Sequence, residues 1–279
     1  MKSATNSTVT NSLDRALALL EMVEQKPGGL TAGQIRRELG IPKSSYSYLI
    51  NRLQRKGYIT RDEETHRYKI GLTPLVLAYG TLREMGFRSV TEPSLYRLAS
   101  ETRLAASLGI LERGRVLLID RVESPDFVRD AVNLSTQMEN MRAGRLRRRQ
   151  ERDLGREFPA HTNATGKVLL AYLPPSQAAK IIEQEGLTRV TPLTIVSKIK
   201  LLEEIAIARE VGYAGSNEEQ YMGVRGIAAP IFDVTGNACA AVSATGSPKD
   251  PIWKDTEKIV DMVKAAARDM SRGLRVRQS

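Results

Sequence analysis

Ser44, Ser47, Tyr48, Asn51 and Arg55 recur at the spacing of one helix face, with Lys43 and Arg52 on its edges. Hydroxyl, amide, ammonium and guanidinium groups bond phosphate oxygens and base edges, so the chemistry offered is contact with a nucleic acid. A second basic set follows on two short alternating segments, Tyr58 to Arg61 and His66 to Ile70, joined by the acidic turn Asp62-Glu63-Glu64. Such a pattern predicts a β-hairpin whose Arg61 and Arg67 touch the phosphate backbone. Polar helix faces are common in proteins. The ordered set of cap, turn, polar helix and basic hairpin is much more specific, and it reads as a winged helix-turn-helix.

Bond-making chemistry finds little support. The two histidines are His66 and His161, the single cysteine is Cys239, and no H-x-x-x-H or C-x-x-C spacing is present, so neither a metal nor another cofactor is expected. Cys239 lies in the apolar run NACAAV and reads as a small buried hydrophobe. Asn163-Ala164-Thr165-Gly166-Lys167 superficially resembles a phosphate loop. That motif requires Gly where His161 stands and Ser or Thr where Val168 stands. A gentler use of the same physics remains, in which free amides at the start of a Gly166 helix favour a carboxylate. Lys167 is read either as part of that site or as a surface charge. Ser243 and Thr245 share one strand face and, with Ser216, offer hydroxyls, but no partnered general base accompanies them. Glu218 and Glu219 are expected to be solvent-exposed.

The elements that must position these groups follow from local signals. Leu13, Ala16, Leu17, Leu20 and Val23 predict an amphipathic first helix ending near Pro27-Gly28-Gly29. Thr31 and Gln34 form a T-x-x-Q capping box, Ile35 and Leu39 share a face, and Gly40 closes the second helix. Pro42 suits a first helical turn, after which Tyr46, Leu49 and Leu53 face the core. An apolar helix from Leu75 to Met85 reads as a linker with surface for pairing two subunits. Beyond it, helices are expected at Pro93–Thr102, Gly166–Leu173, Ser176–Gln184, Lys198–Val211 and Ile252–Leu274. Strands are expected at Ala105–Leu111, Val116–Val122, Phe127–Leu134, Gly226–Asp233 and Ala238–Thr245. The class is α+β, a mostly antiparallel sheet with helices on it.

Charge is unevenly spread over the 279 residues, whose net charge is +10. Residues 1–90 hold 14 Lys+Arg against 8 Asp+Glu, and the run RAGRLRRRQERDLGR at 142–156 holds 7 against 2. A basic N-terminal module on a nearly neutral body suits a DNA reader carrying a separate sensor. The basic run reads as a solvated loop or as an additional phosphate contact. The lone cysteine points to a reducing compartment, and no apolar run is long enough to span a bilayer, so a cytoplasmic protein is expected.

These motifs resemble the IclR family of bacterial transcription regulators over about Ser12 to Leu274. The blocks that carry the likeness are SLDRALALLE with GLTAGQIRRELGIPKSSYSYLINRLQRKGYI, then FPAHTNATGKVLLAYL, then GYAGSNEEQYMGVRGIAAPIFDVTGNACAAVSATG. The resemblance implies a tail at 1–11, a winged helix-turn-helix at 12–72, a linker helix at 73–89 and a GAF-like effector-binding domain at 90–279. It implies homodimers or homotetramers on palindromic double-stranded DNA operators, modulated by small organic or aromatic acids. Carried over by position, the effector pocket comprises Phe158, Ala164, Thr165, Gly166, Ser216, Val224, Gly226, Ser243 and Thr245. Two departures stand out: the family often has cysteine at the position of Gly226 and aspartate at that of Ser216, which predicts a roomier, less acidic pocket. A second reading of the whole chain is a metabolite-binding enzyme or module whose N-terminal helices serve oligomerisation.

Overall fold

The computed structural model describes residues 11–26, 28–84, 87–123 and 155–278. The chain divides into two compact units, Met1–Met85 and Gly86–Ser279. The expected strand Phe127–Leu134, most of the basic run and all of the expected tail but Asn11 lie outside the described residues.

The first unit contains helices α1 (Ser12–Glu24), α2 (Ala32–Leu39) and α3 (Lys43–Arg55), then strands β1 (Ile59–Arg61) and β2 (Tyr68–Ile70), then helix α4 (Thr73–Glu84). Each boundary has a local cause. Asn11 Oδ1 accepts from the Asp14 amide and caps α1. The Thr31–Gln34 capping box forms in both directions, at 3.3 and 2.8 Å, a feature that stabilises a helix start by about 1 kcal/mol. Gly40 ends α2 in the left-handed region at φ 61°, where a Cβ is penalised. Pro42 precedes α3 in extended conformation, and its carbonyl accepts from the Tyr46 amide. Leu19, Val23, Ile35, Tyr46, Leu49, Ile50, Ile59 and Tyr68 form the core. The face of α1 differs from expectation. Leu19 and Val23 are buried, whereas Leu13 and Leu17 stay 65% and 50% exposed. The apolar stripe of α1 is wider than the surface that α2 and β2 offer it, so its leading edge remains in water.

The second unit opens with α5 (Phe87–Thr102), which starts ahead of the predicted Pro93 and carries that proline inside it. The missing proline amide is tolerated because Leu95, Leu98 and Ala99 are fully buried downstream of it. Strands β3 (Ala105–Glu112), β4 (Arg115–Val122), β5 (Glu157–Pro159), β6 (Ala214–Asn217), β7 (Arg225–Phe232) and β8 (Ala238–Gly246) form one antiparallel sheet, ordered β5-β4-β3-β8-β7-β6. The short edge strands β5 and β6 carry too few residues to show a period-two pattern, and neither was expected. Helices α6 (Ala164–Ala171), α7 (Pro175–Glu185) and α8 (Lys198–Val211) cover one face together with Ala214, Ala228 and Ala241. The other face packs on α5 and on α9 (Thr256–Gln278), which follows a 3-10 turn at Pro251–Asp255. Burial on both faces explains why β7 reads GIAAPIF without alternation.

Candidate functional site

In the first unit the polar stripe of α3 is displayed as its spacing implies. Lys43, Ser44, Ser47, Tyr48, Asn51, Arg52 and Arg55 are all exposed, while Tyr46, Leu49 and Ile50 on the opposite side are buried. The Arg52 guanidinium lies 5.2 Å over the Tyr48 ring, a cation–π contact that stiffens both side chains on the outer face. On the hairpin, Arg61 is exposed beside the Tyr68 ring. Arg67 is only half exposed, and its Nη1 donates to the Gly29 carbonyl at 2.9 Å. It therefore fastens the hairpin to the turn before α2, a role that spacing alone did not suggest. Leu30 and Tyr68 exchange backbone hydrogen bonds at 3.0 and 2.8 Å, adding a third segment to the wing. At the hairpin tip, Asp62 accepts from the Thr65 amide, the Lys69 ammonium and the Thr65 hydroxyl. These bonds hold its carboxyl well below the usual range.

In the second unit a cavity of about 80 Å³ opens between the sheet and the start of α6. Seven of the nine expected residues line it: Phe158, Ala164, Thr165, Ser216, Val224, Ser243 and Thr245. Gly226 sits between two of them in the sheet, paired with both Ser216 and Thr245. A Cβ added there would meet the Thr245 methyl at 2.8 Å. The space that a side chain at Gly226 would take is thus filled by the Thr245 methyl, so the glycine admits Thr245 and does not itself enlarge the cavity, contrary to the roomier pocket expected.

Gly166 does not line the cavity. Helix α6 starts at Ala164, earlier than expected, and Asn163 Oδ1 takes the Gly166 amide at 2.8 Å. That amide is already satisfied by the cap and is not available to a ligand. Glycine is required because a Cβ would come within 2.1 Å of the Ala160 carbonyl oxygen.

Lys167 overturns both readings offered for it, since its side chain is buried and faces neither ligand nor water. Its Nζ donates to Glu204 Oε2 at 2.7 Å and to Glu219 Oε1 at 2.9 Å, with Glu219 Oε2 at 2.8 Å. Glu219 is correspondingly not a solvent-exposed loop carboxylate. Burial raises its pKa, with Lys167 opposing. The loop after β6 is further held by the Thr191 and Thr194 hydroxyls, which donate to the carbonyls of Glu218 and Glu219. This loop supplies Gln220, Tyr221 and Val224 to the cavity wall, and Tyr221 meets Phe158 edge to face at 6.2 Å. Lys167 therefore ties the roof of the pocket to the helix that begins at its side.

Sequence reading missed Ser107, Val116, Leu118, Arg121, Asn163, Gln220 and Tyr221. The largest omission is Arg121, the charged side chain in the wall. Strict alternation from Val116 and Leu118 would place Arg121 on the opposite face. A bulge between Leu108 and Gly109 leaves Ile119 without a partner, so that Gly109 pairs with Leu118 but Ser107 pairs with Arg121. One extra residue reverses the parity and turns Arg121 toward the cavity. Its Nη1 donates to Ser107 Oγ at 3.1 Å, and Nε and Nη2 reach the two oxygens of Glu123 at 2.5 and 3.3 Å.

The remaining reactive side chains have structural partners. His161 is buried, its Nε2 donates to the Thr188 carbonyl, and desolvation lowers its pKa. The Cys239 thiol is half-buried and donates to the Ile231 carbonyl, and burial pushes its pKa up to about 11. Among the described residues no group of three or more His, Cys, Asp or Glu side chains could hold a metal ion. No helix among them is long and apolar enough to cross a membrane.

Comparison with known proteins agrees with this architecture. Residues 12–63 match the IclR helix-turn-helix domain, and residues 136–272 match the C-terminal domain of the bacterial transcriptional regulator IclR. The HTH-type transcriptional regulator BhcR of Paracoccus denitrificans is 29% identical, covering 99% of this chain and 91% of that protein. The Thermotoga maritima IclR structure superposes with a TM-score of 0.70 at 25% identity, covering 95% of this chain and 98% of that one. The inducer-binding domain of Acinetobacter PobR, a double mutant in complex with 3-hydroxybenzoic acid, gives a TM-score of 0.54 at 26% identity. It covers 66% of this chain and 97% of that domain. The chain belongs to the IclR family of transcription regulators, with a helix-turn-helix domain and an effector domain.

Proposed function

We propose that this IclR-family regulator reads a palindromic operator in the cytoplasm as a dimer or dimer of dimers, and that a small organic acid controls it. The DNA reading rests on the exposed stripe Ser44, Ser47, Tyr48, Asn51 and Arg55, with Lys43, Arg52 and Arg61 toward the backbone, while Arg67 holds the hairpin through Gly29. One such helix covers a half-site, so a palindrome requires two copies. Exposed Leu72, Leu75, Val76, Leu77 and Tyr79 on and beside α4 supply apolar surface for pairing.

The single observation that carries the ligand class is the guanidinium of Arg121 in a cavity otherwise lined by hydroxyls, the amides of Asn163 and Gln220, and apolar walls. Polar groups placed sparsely in an apolar cleft orient a small ligand, and a guanidinium selects a carboxylate. A monocyclic aromatic acid is the first candidate: Phe158 and Tyr221 give it ring surfaces, and a related inducer-binding domain holds a hydroxybenzoic acid. A short keto or hydroxy acid is the second. The cavity volume of about 80 Å³ favours it, since an engineered site of about 150 Å³ is what takes benzene without rearrangement. An aromatic acid requires the Phe158–Tyr221 pair to part.

Gel-shift assays with genomic fragments, followed by titration of both acid classes, test the proposal. A shifted fragment whose binding responds to one acid class supports it. No retardation by any fragment would leave the alternative, a metabolite-binding module whose helices serve oligomerisation.

A further inference from the structure

We infer that Arg121 is the anchor for the effector carboxylate and that Glu123 is an internal stand-in which the effector displaces. The inference rests on the small-acid reading above and deepens it.

Both groups are largely withdrawn from water, with side-chain exposures of 11% for Arg121 and 19% for Glu123. A guanidinium in such a place requires a partner, because an unpaired buried charge is strongly unfavourable. Glu123 supplies one in the two-pronged geometry that guanidinium and carboxylate adopt most readily, through Nε and Nη2. Yet Glu123 does not line the cavity, whereas Arg121 does, together with Ser107, Ser243 and Thr245. The cation therefore bridges two environments, with an internal carboxylate at one side and an open, hydroxyl-lined space at the other. Arg121 is the charged side chain lining that space among the described residues. Lys167 cannot serve in its place, since two carboxylates already hold it.

An entering carboxylate meets Nη1 and Ser107 first and then competes with Glu123 for the rest of the fork. Exchange of one carboxylate for another keeps Arg121 paired throughout, provided the displaced Glu123 turns out to water or takes up a proton, since one guanidinium balances only one of the two anions. An uncharged analogue gains nothing from the exchange. Two consequences follow. Arg121 sets selectivity for acids over their amides, and Glu123 holds acid affinity down by keeping the binding-competent form a minority.

The test is calorimetric titration of the full-length protein with 4-hydroxybenzoate, pyruvate and the corresponding amides. Wild type should prefer an acid to its amide. Arg121→Gln should lose about 10- to 100-fold in acid affinity, the range for a hydrogen bond to a charged group, and should bind acid and amide alike. Arg121→Lys should retain part of the preference. Glu123→Gln should bind the acid more tightly and leave the amide unchanged. That variant keeps Arg121 and also covers the case in which Arg121→Gln does not fold. An unchanged acid-to-amide ratio in both Arg121 variants would overturn the anchor. Unchanged acid affinity in Glu123→Gln would overturn the displacement. Wild type that binds neither acid nor amide would instead sink the small-acid reading, and this inference with it.

Discussion

The ammonium of Lys167 on α6 sits between two carboxylates, with Glu219 Oε1 and Oε2 at 2.9 and 2.8 Å and Glu204 Oε2 at 2.7 Å. Lys167 is fully withdrawn from water, the Glu219 side chain nearly so, and Glu204 about one-third exposed. Removing the cation leaves Glu219 buried against another carboxylate. Lys167→Met is expected to destabilise the effector domain by about 3–5 kcal/mol, the usual result of orphaning one member of a buried pair. Glu219→Gln should cost far less, because Lys167 keeps Glu204. Urea denaturation of both variants checks the contrast, and equal losses would argue against an ion pair as the anchor of the loop.

The raised Glu219 and the lowered His161 act on stability with opposite signs. Burial keeps His161 neutral below its ordinary 6.5, so between its folded value and 6.5 the unfolded chain binds more protons. Its contribution is complete above 6.5 and is lost as pH falls through that window. The contribution of His161 to the melting temperature should therefore fall as pH drops below 6.5, and His161→Gln should remove that part of the slope. Glu219 runs the other way: its contribution is complete below its ordinary 4.5 and is lost as pH rises through its raised folded value. An unaltered pH slope in His161→Gln would remove the histidine from the account.

On α3, neighbouring positions should separate by function. Asn51→Ala is expected to weaken specific DNA binding by about 1–3 kcal/mol while leaving the melting temperature unchanged. Leu49, only 5% exposed, should behave oppositely, with Leu49→Ala costing about 2–5 kcal/mol of stability through a core cavity. Gel shifts against operator and scrambled DNA, paired with thermal melts, distinguish the two. Asn51→Ala that keeps its sequence preference would deny it a base contact.

Subunit pairing through α4 can be probed at Val76, which is 68% exposed. Val76→Asp is expected to move the light-scattering mass toward the monomer and to weaken operator binding. Wild type that is monomeric at micromolar concentration, with and without DNA, would rule out the proposed dimer.

Gly226→Met should push the Thr245 side chain into the cavity that it lines. Because even a Cβ meets the Thr245 methyl at 2.8 Å, thermal-shift titration should show a ring-bearing acid losing more affinity than a short acid. Equal losses for both would place the ring elsewhere in the cavity.

What the sequence determined by itself is the part of the molecule built from neighbours in the chain. The capping box at Thr31–Gln34, the left-handed Gly40 and the periodicity of α3 are interactions over three or four residues, so residue type and spacing were enough to define the exposed polar stripe of α3. The same holds for α8, whose bounds at Lys198 and Val211 follow from its Ser197 cap and closing Gly212. Tertiary structure decided the rest of the pocket. Whether Lys167 is a surface charge or a buried one depends on partners 37 and 52 residues away. Whether Arg121 faces the cavity depends on one unpaired residue, Ile119, in its pairing with β3. Alternation along a strand assigns faces only while the register is unbroken, and a bulge is a property of two strands together, which no reading along one of them contains.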